Sequence, residues 1–309
     1  MLNSKELYMS THQTTNQGGT QMGRYANILL DYWFKRTFGA ESRKRILELF
    51  LKELIPERKI VSLKYEPQEH INPWPGKKDI RVDVECTDAD GTRFVVEMQL
   101  AEQEFFYERA LFNSSFAIQE QMVKGQDEYD FPTVYFIGLT DFSMHEDTTQ
   151  VLYRYRLRED HSNEVMTERV QYIFLELPNC KDEPKRDAPV VDKICWALHN
   201  LPSFEDRPGV LEEEIFRLLF ESAEIATFTP EEKIKYEHDM TTERDIRNQI
   251  RFAEKQGLAK GREEGRAEGR EEGATQKSIE IARQMLAERI PAETVAKCTG
   301  LSKEDIAAL

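Results

Sequence analysis

The sequence predicts an α/β fold with a mixed sheet, on three observations. A stretch of two-residue alternation from Asp79 to Leu100 reads as a β-hairpin, segments of helical period precede and follow it, and Thr133 to Leu139 is an apolar run of buried-strand length. An order of helix, hairpin, helix, strand indicates strands of both directions flanked by helices.

Each element has its local signal. Residues 1–23 are rich in Ser, Thr, Gln, Asn and Gly without periodic apolar positions, so they read as a disordered leader. From Asp31 to Leu54, Phe34, Phe38, Ile46, Leu47, Phe50, Leu51 and Leu54 recur at helical spacing, with Gly39 a break between two helices. Asn72 to Gly76, holding Pro73 and Pro75, ends that region and leads into the hairpin. In the hairpin, Ile80, Val82, Val84 and Cys86 alternate with Arg81, Asp83 and Glu85, and Phe94, Val96 and Met98 alternate with Val95, Glu97 and Gln99. Ala89-Asp90-Gly91 fits a three-residue loop, a type I turn followed by a left-handed glycine. Glu104 to Lys124 reads as a helix ended by Gly125; Val151 to Leu157 and Val170 to Leu177 read as further strands.

Beyond the linker-like Lys181 to Pro189 the pattern is helical throughout. The expected division is therefore a leader (1–23), a main domain (24–180), a helical extension (181–256), a Gly-rich charged linker or helix (257–275) and a small helical tail (276–309). A chain of 309 residues suits one good core with appendages.

The net charge of −15 argues against easy nucleic-acid binding, because proteins that hold duplex usually neutralise phosphates with Lys and Arg. Any such surface must be local. Asp31 to Lys64 carries nine basic residues, Lys35 among them, against five acidic, and suits either a phosphate-facing surface or an ordinary solvated helix face. Cys86, Cys180, Cys195 and Cys298 lack zinc or disulfide spacing, and the six histidines lack ligand spacing. With no apolar run long enough for a bilayer and no secretory leader, the expected location is the cytoplasm, without membrane contact.

The hairpin carries the chemistry. The loop register pairs Asp88 with Thr92 and continues to set Asp83 opposite Glu97, with Gln99 two residues along on the same face and the other face apolar. Two carboxylates so placed suit magnesium, which prefers oxygen ligands and is usually held by one or two carboxylates with substrate phosphate. The Met98 backbone carbonyl could add a ligand, and Gln99 could orient water but can neither act as a base nor carry charge. Acidic side chains on an open hairpin face are also commonly just solvated, and Glu85, on the same strand face, is the alternative acid.

An Asp on one hairpin strand followed by Glu-x-Gln on the next resembles the PD-(D/E)XK nuclease superfamily. More narrowly, the chain resembles its transposase-associated branch, the recombination-promoting nuclease or putative transposase family. DYWFKRTFG (Asp31 to Gly39), RVDVECTDADGTRFVVEMQ (Arg81 to Gln99), YERALF (Tyr107 to Phe112), QMVKGQDEYDFPTVYFIGLTDF (Gln121 to Phe142) and LEL (Leu175 to Leu177) carry the likeness over residues 24–180. It implies a restriction-endonuclease-like mixed β-sheet core flanked by helices, followed by a helical C-terminal extension. It further implies a magnesium-dependent DNA endonuclease, with manganese as a substitute, associated with transposition or recombination. Asp83 and Glu97 become the motif's acids, and Asp31 either an acidic ligand on the first helix or a residue flanking it. Gln99 departs from the superfamily's Lys. Arg109 and Gln121, on the helix after the hairpin, become phosphate contacts or structural hydrogen-bonders. The competing class is a catalytically degenerate nuclease fold acting as a DNA- or protein-binding module.

In the tail, Gly257, Gly261, Gly265, Gly269 and Gly273 recur every four residues among charges, and each costs a helix ~1 kcal/mol relative to Ala. The segment is then either a flexible linker or a helix stabilised by a partner, which points to a homo-oligomer through the C-terminal region. The last residues outline a small helix-turn-helix, with Thr299-Gly300-Leu301 as the turn and Ser302 as cap. Its would-be recognition helix sets Lys303 against Glu304 and Asp305, which favours protein contact over groove reading.

Overall fold

The structure is a computed structural model, and it describes residues 23–72, 76, 78–123, 125 and 129–309. The expected leader, apart from residue 23, and the two prolines before the hairpin lie outside the described residues. The chain divides into two compact units, Met1–Lys233 and Ile234–Leu309.

The helices are α1 (Asp31–Phe38), α2 (Lys44–Leu54), α3 (Phe106–Gln119), α4 (Val190–Asn200), α5 (Glu214–Ala223), α6 (Pro230–Ala287), α7 (Ala292–Thr299) and α8 (Lys303–Ala307). The strands are β1 (Leu63–Tyr65), β2 (Glu69–His70), β3 (Ile80–Arg81), β4 (Val84–Asp88), β5 (Arg93–Gln99), β6 (Val134–Thr140), β7 (Leu152–Arg156) and β8 (Val170–Glu176). Six of them form one sheet in the order β1-β4-β5-β6-β8-β7, while β2 and β3 pair separately. The β5-β6 and β6-β8 pairs are parallel and the other pairs antiparallel, so the sheet is mixed, as expected.

Parallel strands are covered on both faces, which is why β6 is an unbroken apolar run with all seven residues buried. On one face Phe34, Phe38, Leu47, Phe50, Ile194 and Phe216, from α1, α2, α4 and α5, pack with Val84, Cys86, Phe94, Val96 and Ile137 of the sheet. On the other, α3 lays Phe106, Ala110 and Ala117 against Val95, Val134, Phe136 and Phe174. Each large side chain so buried contributes about 1.5–3 kcal/mol through leaving water. Lys181 to Pro189 thus joins elements of a single core, which continues through α4 and α5.

The hairpin has the expected loop and register. Gly91 is left-handed (φ 84), the Asp88 amide donates to the Thr92 carbonyl at 2.9 Å, and Val84 pairs with Val96, Cys86 with Phe94. Two features differ from expectation. The first strand is interrupted at Val82-Asp83, because β3 turns aside to pair with β2 and β4 starts only at Val84. The acidic face is not open to water either: α3 covers it, leaving Glu85 2% and Glu97 6% exposed.

In the second unit the Gly-spaced segment is helical, within α6, and a Cβ at any of those five glycines would meet nothing within 4 Å. Ala282, Val295 and Ile306 form a small core joined by Met285, Leu286 and Leu301. Gly300 ends α7 in the left-handed region (φ 71), and Ser302 with Asp305 makes a reciprocal capping box on α8. No described helix is long and apolar enough to cross a membrane.

Candidate active site

Asp83 sits at the bend before β4, and its Oδ2 accepts the Met98 amide of the facing strand at 2.8 Å. The backbone bond that a continued ladder would have made is replaced by a side chain, which pins the carboxylate to the end of β5. Its Oδ1 lies 3.3 Å from the Lys35 ammonium of α1, which also meets Asp31 Oδ1 at 2.6 Å. Burial nonetheless raises the Asp83 carboxyl above its ordinary range, with the Met98 amide and Lys35 pulling the other way.

Glu97 lies on β5 beneath α3. Asn113 donates to its Oε1 at 3.2 Å, and the Arg109 guanidinium stands 4.0 Å from Oε2. Burial, and then the charge of Asp83, pushes its pKa up to about 8. The neighbouring strand offers Gly138 opposite Glu97, and a Cβ there would come within 2.8 Å of the Phe174 ring. Small residues along the inner face of α3, Ala110, Ser114 and Ala117, bring the helix close above the sheet.

Gln99 donates to the Ala101 carbonyl at 3.0 Å and accepts from Arg109 at 3.2 Å. Arg109 also bonds Gln103 and lies over the Phe106 ring. Asp83, Glu97, Met98, Gln99, Lys35 and Arg109 are therefore drawn together, with Asp31 linked through Lys35 and 74% exposed at its side chain. Gln121 is not part of the group. It follows the end of α3, and its amide nitrogen donates to the Ala117 carbonyl at 2.8 Å.

Glu85 shares the sheet face but belongs to a different cluster. One oxygen meets His70 Nε2 at 2.6 Å and the other Arg93 at 2.8 Å; Glu120 at the end of α3 meets His70 Nδ1 and Arg93, each at 2.6 Å. Among the described residues, His70, Glu85 and Glu120 form the one group of three whose ligand atoms lie close enough for a single metal ion. The Arg93 guanidinium already bridges both carboxylates, so the donor set does not fit a cation. Sequence reasoning missed Asn113 and this cluster, whose partners are 8 to 50 positions apart and leave no local signature.

A mixed sheet with helices on both faces, whose β5 carries Glu97-x-Gln99 beside a half-buried Asp83 at the bend before β4, defines an α/β fold of the nuclease type. The family model described as PD-(D/E)XK nuclease family transposase matches residues 28–253, and the chain belongs to that family. Residues 275–309 match the C-terminal HTH domain of the Rpn/YhgA-like nuclease family. No curated protein and no solved structure matches the chain.

Proposed function

We propose that the chain is a magnesium-dependent DNA endonuclease, with manganese able to substitute, acting in transposition or recombination. The observation that carries this is a carboxylate pair at one end of the hairpin, the half-buried Asp83 and the buried Glu97, with Lys35 3.3 Å from the first and Arg109 4.0 Å from the second. Oxygen donors of this kind fit a hard divalent ion, and the Met98 carbonyl adjoins them. When bound, the ion would acidify a coordinated water and offset charge growing on the phosphate.

The chain's own residues supply the positioning. The Met98 amide holds Asp83 in place, and Asn113 fixes Glu97 from above. Gln99 presents an amide where the superfamily has a cation, and Lys35, reaching Asp83 from α1, provides the positive charge instead. A binding module without catalysis is the second reading, favoured by Gln99, whose amide group and oxygen are both already engaged.

Plasmid nicking with and without magnesium separates the two. Wild type should cut only with the metal, and Asp83→Asn and Glu97→Gln should each abolish cutting. Magnesium should also stabilise wild type by about 2.7 kcal/mol at a hundredfold excess over its dissociation constant, and neither variant. Cleavage by both variants at the wild-type rate would refute the assignment.

A further inference from the structure

In the nuclease reading Lys35 supplies the positive charge that Gln99 does not, and its place depends on the short helix that carries it. Helix α1 has eight residues and no side-chain cap at its N-terminus. Helices shorter than ~12–15 residues are marginal by themselves, so the position of α1 is set by what it touches. Phe34 and Phe38 enter the core and fix its depth. Its rotation about its own axis decides whether the Lys35 ammonium, 25% exposed at its side chain, reaches Asp83 at 3.3 Å. At the ~5–6 Å radius of a helix's side-chain envelope, rolling by about 20° carries a side chain about 2 Å. Asp31, which meets Lys35 at 2.6 Å, rides on the same helix and turns with it, whereas Asp83 lies at the bend before β4. A roll of α1 therefore leaves Lys35 with Asp31 and takes it from Asp83.

The other side of α1 is gripped by a segment 185 to 196 positions away in sequence, at the end of α5 and the root of α6. Thr37 and Ser222, both buried, meet at 3.3 Å. The Trp33 ring lies flat on Phe228, with centroids 4.5 Å and planes 10° apart. Arg36 makes the most contacts: its guanidinium lies over the same Phe228 ring at 4.6 Å, donates to the Ser222 carbonyl at 2.9 Å and meets Glu232 at 2.8 Å. Glu232 is fixed in turn, because it and Thr229 each bond the other's backbone amide and so cap the start of α6. Arg36 and Glu232 are 12% and 20% exposed at their side chains, so the pair keeps a geometry that a solvated pair would lose. These root residues belong to the first unit, with α1 and the carboxylates.

Successive residues of a helix are turned by about 100° from one another, so a grip on Arg36 sets the direction in which Lys35 points. We propose that Arg36, held by Glu232 and Phe228 at the root of α6, is the positioning residue for Lys35. It fixes the rotation of α1 that sets the ammonium on Asp83 as well as on Asp31. This rests on the nuclease reading for its effect on rate, while its effect on Lys35 is measured without that reading.

The test labels full-length wild type, Arg36→Met and Glu232→Gln with acetic anhydride in chelator and reads the Lys35 rate by peptide mass, with Lys59 and Lys64 as internal references. Arg36→Met keeps an unbranched stem and removes the guanidinium. Glu232→Gln keeps the volume and removes the charge, so the question stays answerable if the first variant does not fold. An ammonium released from Asp83 should be labelled several-fold faster in both variants, with the references unchanged. In plasmid nicking with magnesium, kcat should fall by roughly 10- to 100-fold with KM little changed, the scale of a misplacement of about 1 Å. In a Lys35→Met background the same substitutions should lower kcat no further, an outcome that a merely structural role would not give. Lys35 labelled at the wild-type rate in both variants, or an equal fold loss of kcat with and without Lys35, would overturn the proposal. If labelling changes as expected but wild type never cuts with magnesium, the nuclease reading fails and the positioning stands. If wild type cuts with magnesium while neither labelling nor kcat responds to Arg36 or Glu232, the positioning fails and the nuclease stands.

Discussion

Helix α3 covers two groups of acids on one face of one hairpin, and they are treated in opposite ways. Toward the loop end, Glu85 is 2% exposed and both of its oxygens are matched, by His70 and Arg93, with Glu120 closing the circuit. Toward the far end, Glu97 is almost as deeply buried but meets an amide at 3.2 Å and a guanidinium only at 4.0 Å, with a second carboxylate nearby. Depth is common to both; compensation is not. A matched ion network cross-links β2, β4, β5 and the end of α3, whereas Asp83 shares Lys35 with Asp31 and Glu97 meets a cation only at 4.0 Å. Burial alone therefore does not separate the two clusters, and the partners of each carboxylate do.

Substitution tests this contrast most strongly through stability. Glu85→Ala strips Arg93 and His70 of their buried counter-charge and should cost about 3–5 kcal/mol, measured by denaturant unfolding in chelator, while the folded fraction keeps its cleavage rate. Asp83→Asn and Glu97→Gln should move the other way, with metal-free stability unchanged or higher. If Glu85→Ala proved neutral and Glu97→Gln strongly destabilising, the roles of the two clusters would be reversed.

A smaller effect is expected from pH. The Glu97 carboxyl titrates near 8 in the folded chain, against an ordinary value of 4.5, so between these the native state holds a proton that the unfolded chain has released. Stability in chelator should thus fall as pH rises from about 5 to about 8, by on the order of 5 °C in Tm. His70 is also raised, by its two carboxylates against the lowering effect of burial, and contributes stability that is likewise lost as pH rises through its folded pKa. The difference between wild type and Glu97→Gln isolates the Glu97 part. Parallel Tm-versus-pH curves for the two proteins would show that Glu97 is ionised throughout.

The smallest change concerns Gln99. Gln99→Leu removes its bonds to Ala101 and Arg109 and should cost about 1 kcal/mol in stability. It should also slow cleavage, whereas Gln99→Lys should retain or raise it. Equal rates for all three would place Gln99 outside the reaction.

The hairpin, its loop and its register were legible in the sequence because all three depend on neighbours within about twenty positions. The apolar alternation, Gly91 and the register sum are local facts. The same holds for the tail, where Gly300 and the Ser302 cap act within a turn. The break at Val82-Asp83 was not legible, since it depends on β2 capturing β3, and β2 is two residues long. Nor was the cover over the acids. Alternation distinguishes two faces but cannot say whether the polar one meets water or a helix, and the small residues of α3 that permit close approach carry no signal alone. Asn113, His70 and His145 acquire their partners only through tertiary packing.

Gly138 sets a direction. Because it lacks a side chain, the Phe174 and Phe106 rings close over the strand beside Glu97. Among the described residues, Asn113, Arg109, Lys35 and Asp83 are the polar groups that act on Glu97. The polar surroundings of this carboxylate thus lie away from Gly138, where a missing methyl group on the next strand lets two aromatic rings close in.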